Sequence, residues 1–403
     1  MIPYGRQLIE EDDIRAVVEV LRGDWLTTGP AVAAFEAAFA EAVGGAHAVS
    51  CANGTAALHL AALALGLGPG DRVIVPSLTF LATASAPRFT GAEIVFADVD
   101  ADSGLLTPAT LEAAIARVPR AERETLKAVF PVHLGGQLCD MPALRALCAE
   151  HGLAVVEDAC HALGAEYGDG VRVGGAANLA TFSFHPVKTI TSGEGGMVTT
   201  GDARLAARLR RLRSHGMIRD AAAFSERAAA FDAGGAANPW YYEMPEPGLN
   251  YRLTDIQAAL GHSQLRKLAR FVARRDALMA RYAERLAPLA PVVRLAGRAK
   301  AGRPAWHLCS VRIDFTALGT DRASLMRRLR ERGIGTQVHY IPVHRQPYYS
   351  QRYGALRLPG AEDYYRRALS LPLYAAMAPA DVDTVVDALA EIVTPANRLR
   401  AAP

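Results

Sequence analysis

Leu179-Ala-Thr-Phe-Ser-Phe184-His-Pro-Val-Lys188-Thr-Ile-Thr-Ser-Gly193-Glu-Gly-Gly-Met-Val-Thr-Thr200 is the stretch around which the chain reads. Leu179–Phe184 is an apolar, β-prone run, His185-Pro186 turns it, and glycines lead back into a second short strand at Met197–Thr200. A short apolar run bounded by turn signals is a strand buried on both faces, as in a parallel sheet covered by helices. Between the two strands sits one lysine. Of 44 Lys plus Arg, only Lys127, Lys188, Lys267 and Lys300 are lysines, so lysine is not the generic surface charge here. Lys188, between Val187 and Ile190, is the most informative cation, although on its own it reads equally well as an ordinary loop lysine.

Upstream, strands and helices alternate. Strands are expected at Ala46–Cys51, Arg72–Pro76, Glu93–Ala97, Lys127–Val132 and Leu153–Glu157. Between them fall helical patterns at Thr55–Leu65, Thr83–Arg88, Pro108–Arg117 and Met141–His151, with two more at 10–22 and Ala31–Val43. This order describes an α/β unit with a largely parallel sheet, whose ligands gather at the carboxyl ends of the strands. Residues 219–248 interrupt it with an Ala/Gly-rich, then Pro-rich segment, expected to close over a site or cross to a partner subunit. A single long helix, Thr254–Tyr282, then leads into a smaller α+β unit. The division is placed at 1–255 and 256–403.

Composition narrows the function. With 51% hydrophobic and 21% charged residues, 403 residues suit an ordinary globular protein of two units. Net charge is +3 and the basic residues are dispersed, which argues against a nucleic-acid partner. The arginines of Arg204–Arg213 have the spacing of a solvated helix face. The longest apolar run, Ala56–Leu67, is too short to span a membrane, and Met1–Asp13 has no export core, so a cytoplasmic protein is expected. Cysteines 51, 139, 148, 160 and 309 contain no C-x-x-C pair, which points away from a disulfide framework or a metal site.

The remaining residues supply what pyridoxal 5′-phosphate (PLP) requires. A phosphate dianion seeks backbone N–H groups at a helix start, and Asn53-Gly-Thr-Ala56 lies between a strand and a helix, with Thr55 and Ala56 opening it. Phe80, just after a strand, offers a flat surface for the ring. Asp158 ends an apolar strand and suits the ring nitrogen, while Glu157 points to the opposite face. Ser183 is a second phosphate candidate. Lys188, once desolvated, can form the Schiff base and later move protons.

At these residues the chain resembles the sugar-nucleotide aminotransferases of the DegT/DnrJ/EryC1/StrS family. The likeness is carried by Asn53-Gly-Thr-Ala-Ala-Leu58, Pro76-Ser-Leu-Thr-Phe80, Glu157-Asp-Ala-Cys-His-Ala162, Ser183-Phe-His-Pro-Val-Lys188 and Asn250-Tyr-Arg-Leu-Thr-Asp255. It implies the fold-type-I PLP-transferase architecture (aspartate aminotransferase-like), with a mostly parallel seven-stranded sheet, and a homodimer with shared active sites. It further implies Lys188 as the cofactor's attachment point, Asp158 on the ring nitrogen, Phe80 stacked on the ring, and Thr55, Ala56 and Ser183 on the phosphate. Asn250 would reach the neighbouring subunit's cofactor, and His161 would lie near the cofactor hydroxyl. Ile2–Gln7, Asp24–Pro30, Leu212–Asp220, Trp240–Glu243 and Gly335–His344 look like segments of members from pseudaminic acid biosynthesis. That likeness implies amino transfer from L-glutamate to C4 of a UDP-linked 4-keto-6-deoxy-N-acetylhexosamine, giving UDP-4-amino-4,6-dideoxy-N-acetyl-β-L-altrosamine. His185, His215, His339, Tyr340 and His344 are the candidates for sugar or diphosphate contact. Family members that dehydrate sugars carry histidine where Lys188 stands, so Lys188 favours amino transfer.

Overall fold

The computed structural model describes residues 1–45, 47–175 and 178–398. Ala46, where the first expected strand begins, lies outside the described residues, as do the last five positions assigned to the second unit.

Seven strands form the main sheet: β1 (His47–Cys51), β2 (Arg72–Pro76), β3 (Glu93–Ala97), β4 (Leu126–Val129), β5 (Ala154–Asp158), β7 (Leu179–Ser183) and β8 (Gly196–Thr200), in the order β1-β8-β7-β5-β4-β2-β3. A two-residue strand, β6 (Glu166–Tyr167), lies outside it and pairs with β10 (Gly302–Arg303). Only β8 runs antiparallel to its neighbours in the main sheet. The ends of β1, β2, β5 and β7 therefore open on one edge, which brings Asn53, Phe80, Asp158 and Ser183 together.

Helix α1 (Glu11–Arg22) starts at a reciprocal cap between Glu10 and Asp13. Helix α2 (Pro30–Val43) buries Phe35 and Phe39 against β7, with Phe39 5.1 Å from Phe182 and Phe35 5.3 Å from Phe184. Helix α3 (Gly54–Ala64) is buried on nearly every side, as its near-continuous apolar sequence requires. These contacts fix the depth of the α3 start and of the β7 end, the two pieces that meet at one side of the site.

A second core forms around β9 (Val293–Leu295), β11 (Cys309–Ile313) and β12 (Ala368–Leu371), in the order β12-β11-β9, under helices Leu268–Leu286 and Pro379–Arg398. The segment between them returns to the first core: Val343, Tyr349, Leu358 and Tyr364 pack there. No described helix is long and apolar enough to cross a membrane.

The single helix expected over Thr254–Tyr282 is two helices, Asp255–Leu265 and Leu268–Leu286. The break falls where Lys267 turns its ammonium onto Asp12 (2.6 Å), Asp13 (2.8 Å) and Glu10 (3.2 Å). Three carboxylates from the N-terminal segment outweigh helical continuity at that point, a long-range partner that periodicity does not reveal. The Arg204–Arg213 face is also less solvated than its spacing suggests. Arg208 and Arg211 grip Glu246, and Arg213 grips Glu36 beside Ser50.

Glu93, at the start of β3, binds the Arg352 guanidinium and the Tyr353 hydroxyl. The Arg352 hydrogen bonds hold its carboxyl down to about 2. A depressed carboxyl stabilises the fold above its unfolded value near ~4.3, and that contribution fades as pH falls towards the folded value. Because the pair is partly solvated, Glu93→Gln should cost no more than about 1 kcal/mol at neutral pH. The same substitution should flatten the acid side of a plot of Tm against pH.

Candidate active site

A cavity of about 600 Å³ opens at the carboxyl edge, lined among others by Asn53, Thr55, Phe80, Asp158, Ser183 and Lys188. Its floor begins with α3. The Asn53 side chain accepts the Ala56 N–H (2.8 Å) and caps the helix. Among the described residues the Gly54 and Thr55 N–H groups have no acceptor, so two donors and the positive helix end remain for an anion. Gly54 is required by closeness: a Cβ there would sit 2.8 Å from the Ser183 Cβ and 3.1 Å from its hydroxyl. Gly54→Ala should cost about 1–3 kcal/mol. By pushing Ser183 off the helix start, it should also weaken cofactor retention, measured by absorbance after dialysis, beyond the change in Tm.

Asp158 is held at both oxygens. Thr83 Oγ1–H donates to Oδ2 (2.7 Å), with Thr79 2.8 Å behind it, and the Cys160 N–H donates to Oδ1 (3.2 Å). Glu157 faces the other side of the sheet, fully buried. There it accepts from the Tyr167 hydroxyl (2.6 Å) and Arg145 and meets His133 at 3.4 Å. Strand alternation thus leaves Asp158 alone as the carboxylate of β5 that lines the cavity.

Lys188 is partly buried in the return loop, its N–H donating to the His185 carbonyl (2.9 Å). Among the described residues its ammonium has no hydrogen bond or ion pair. Burial pushes its pKa down and the Arg275 charge adds to that, against the pull of Cys160 and Asp158.

Opposite lies a group of aromatic and imidazole side chains. His161 Nδ1 accepts the Gly135 N–H (3.2 Å), which assigns the proton to Nε2, 3.2 Å from the Tyr340 hydroxyl. The Tyr340 ring lies 5.9 Å from Phe80, which is 54% exposed and free to stack. His339 bonds Ser370 (2.8 Å), and burial lowers its pKa to about 3. His161 and His307 are pushed well below the usual imidazole range, by burial first and then by neighbouring basic groups, Lys188 among them. All three are neutral at physiological pH, suited to hydroxyls rather than to counter-charges.

The structure brings Thr55, Phe80, Asp158, His161, Ser183, His185, Lys188, His339 and Tyr340 together. It does not bring Ala56, whose N–H is taken by Asn53. His344 is buried against Ser77 (2.5 Å) behind the site. His215 stands in an exposed turn at positive φ, and Asn250 is exposed beside Ser214, off the cavity. The 219–248 segment does not line the cavity either. It folds on Phe224, Phe231 and Tyr241 and leaves Trp240 and Tyr242 exposed. His307, 4% exposed, was not legible in the sequence: it lines the cavity with its Nδ1 unpartnered, 4.4 Å from the His161 ring. Among the described residues no three His, Cys, Asp or Glu side chains gather to hold a metal.

PLP fits these residues. The α3 start and Ser183 leave a hollow suited to a phosphate that a Cβ at Gly54 would fill, Asp158 is fixed as a hydrogen-bond-accepting carboxylate, and among the described residues the Lys188 amine is unpaired.

Residues 7–390 match the model of the DegT/DnrJ/EryC1/StrS aminotransferase family. The spore coat polysaccharide biosynthesis protein SpsC of Bacillus subtilis (strain 168) is 41% identical over 399 residues, 98% of each chain. Among solved structures, Helicobacter pylori PseC, an aminotransferase involved in the biosynthesis of pseudoaminic acid, superposes with a TM-score of 0.87. It is 28% identical and covers 98% of this chain and 99% of its own. The PLP form of the putative sugar aminotransferase Spr1654 from Streptococcus pneumoniae has a TM-score of 0.85 at 26% identity, over 98% of this chain and 99% of that one.

Proposed function

The chain belongs to the DegT/DnrJ/EryC1/StrS aminotransferase family and is a PLP-dependent sugar aminotransferase, and from that premise we propose that it aminates C4 of a UDP-linked 4-keto-6-deoxy-N-acetylhexosamine, with L-glutamate as donor. Bound PLP supplies a carbon that takes up the amino group and a ring that accepts the electrons released as a proton leaves the donor. The observation that carries the reading is the unpaired, partly buried Lys188 amine in one cavity with Asp158, whose carboxylate is held at both oxygens.

In this reading Lys188 attaches the cofactor and then, freed, moves a proton between substrate carbon and cofactor. Asp158 keeps the ring nitrogen protonated, and its orientation comes from Thr83 and Cys160. The Gly54 and Thr55 N–H groups with the Ser183 hydroxyl hold the phosphate. Phe80 covers one ring face, and His161 stands by the ring hydroxyl with its proton fixed on Nε2. His185, His339 and Tyr340 hold the sugar, where a neutral imidazole and a phenol meet hydroxyls without a charge to desolvate. The exposed Trp25, Trp240, Tyr242 and Met244 fit burial by a second copy of the chain, in which Asn250 would reach the partner's cofactor phosphate.

The likeness to PseC supports UDP-4-amino-4,6-dideoxy-N-acetyl-β-L-altrosamine as product. The higher identity to SpsC favours a second reading, in which another nucleotide-linked 4-keto-6-deoxy sugar is aminated for a surface polysaccharide. The test is incubation of the holoprotein with glutamate and a panel of nucleotide-linked 4-keto sugars, with products identified by NMR. The first reading requires the altrosamine product. Amination of a different sugar alone selects the second, and amination of none overturns both.

A further inference from the structure

Arg275, on helix Leu268–Leu286, is 2% exposed and makes no ion pair with any carboxylate among the described residues. A fully buried guanidinium without a counter-charge is costly, and the usual remedy is an adjacent Asp or Glu. The partners of its two terminal nitrogens are instead carbonyls from three separate segments. Nη1 donates to Leu373 O (2.9 Å) and His307 O (3.2 Å), and Nη2 donates to Lys188 O (3.4 Å). Its Nε is buried without an acceptor. Burial lowers its pKa to about 10, which still leaves it a cation at neutral pH.

The place of that charge is specific. Arg275 and Lys188 line one small recess that Asp158 does not line, together with Arg6, Gln264 and Phe271. The other titratable and charged groups that line a cavity with Lys188 are Asp158 and Cys160 on the β5 turn, His185 and Glu194 in its own loop, Tyr4 and Arg6 on the N-terminal segment, Tyr340, and the neutral His161, His307 and His339 across the cavity. Burial weighs most against a charged lysine, Cys160 and Asp158 favour the charge, and Arg275 is a cation that opposes them.

We propose that Arg275 is the positioning residue for Lys188: its counter-charge-free guanidinium holds the Lys188 carbonyl and sets a permanent positive charge behind the amine, favouring the uncharged form that attaches the cofactor and moves protons. A carboxylate at the same point would do the reverse, stabilising the ammonium. The unusual all-carbonyl partner set therefore keeps the charge from being neutralised.

The proposal rests on Lys188 being the cofactor's attachment point, and Lys188→Ala, which should lack the visible band of the lysine-bound cofactor, checks that premise separately. The test is a pH titration of that band in substrate-free holoprotein, compared among wild type, Arg275→Met, Arg275→Gln and Arg275→Lys, with Tm followed in parallel. Removing the charge should raise the midpoint by about one pH unit or more, while Arg275→Lys should leave it near the wild-type value. An unchanged midpoint in a folded neutral variant overturns the proposal. So does failure of both neutral variants to fold, which would make Arg275 a structural clamp only.

Discussion

Lys188→Ala is expected to lower kcat by at least about 10³-fold, with Tm of the cofactor-free protein unchanged or raised. The two halves of this result come from the same observation. A lysine used for structure would have its ammonium in an ion pair, as Lys267 has with Glu10, Asp12 and Asp13. The Lys188 ammonium has none among the described residues, and burial pushes its pKa down. A cation whose folded pKa lies below its unfolded value near ~10.4 penalises the fold at every pH below that unfolded value. At neutral pH, therefore, deleting the amine removes a cost and no stabilising contact. Thermal melting and steady-state kinetics on one preparation read both halves. A variant that keeps wild-type turnover would remove Lys188 from the reaction.

Asp158→Asn should be the second largest loss, roughly 10²-fold in kcat, from about 3 kcal/mol of charge-assisted hydrogen bonding to the ring nitrogen. The substitution keeps shape. An amide can still accept the Cys160 N–H, and Thr83 can turn its hydroxyl to Thr79, 2.8 Å away. Folding should therefore survive while the negative charge is lost. Wild-type kcat in Asp158→Asn would mean that the ring lies elsewhere in the cavity.

The sheet was legible because its strands are continuous apolar runs between turn signals, and β2 and β3 fall where those runs place them. The same alternation assigned Asp158 and Glu157 to opposite faces. What periodicity could not reveal was decided by partners distant in sequence. Lys267 breaks a helix for carboxylates some 255 residues away, and β12 pairs with β11 without a pattern of its own. At the site, residues that follow strand ends were readable, because topology sends them to one edge. His307 and Arg275 were not, since neither carries a local motif and both gain meaning only from what packs against them. His344 and His215 show the converse: a histidine in a motif-like segment can be turned onto a serine or out to solvent by the fold.

The central claim is that Lys188 and Asp158 form a working amino-transfer site, and absorbance tests it most directly. Purified protein carrying PLP should show the visible band of the lysine-bound cofactor, and L-glutamate alone should convert it to the spectrum of the aminated cofactor. A subsequent 4-keto sugar nucleotide should restore the band. A band that no amino donor changes would contradict the account.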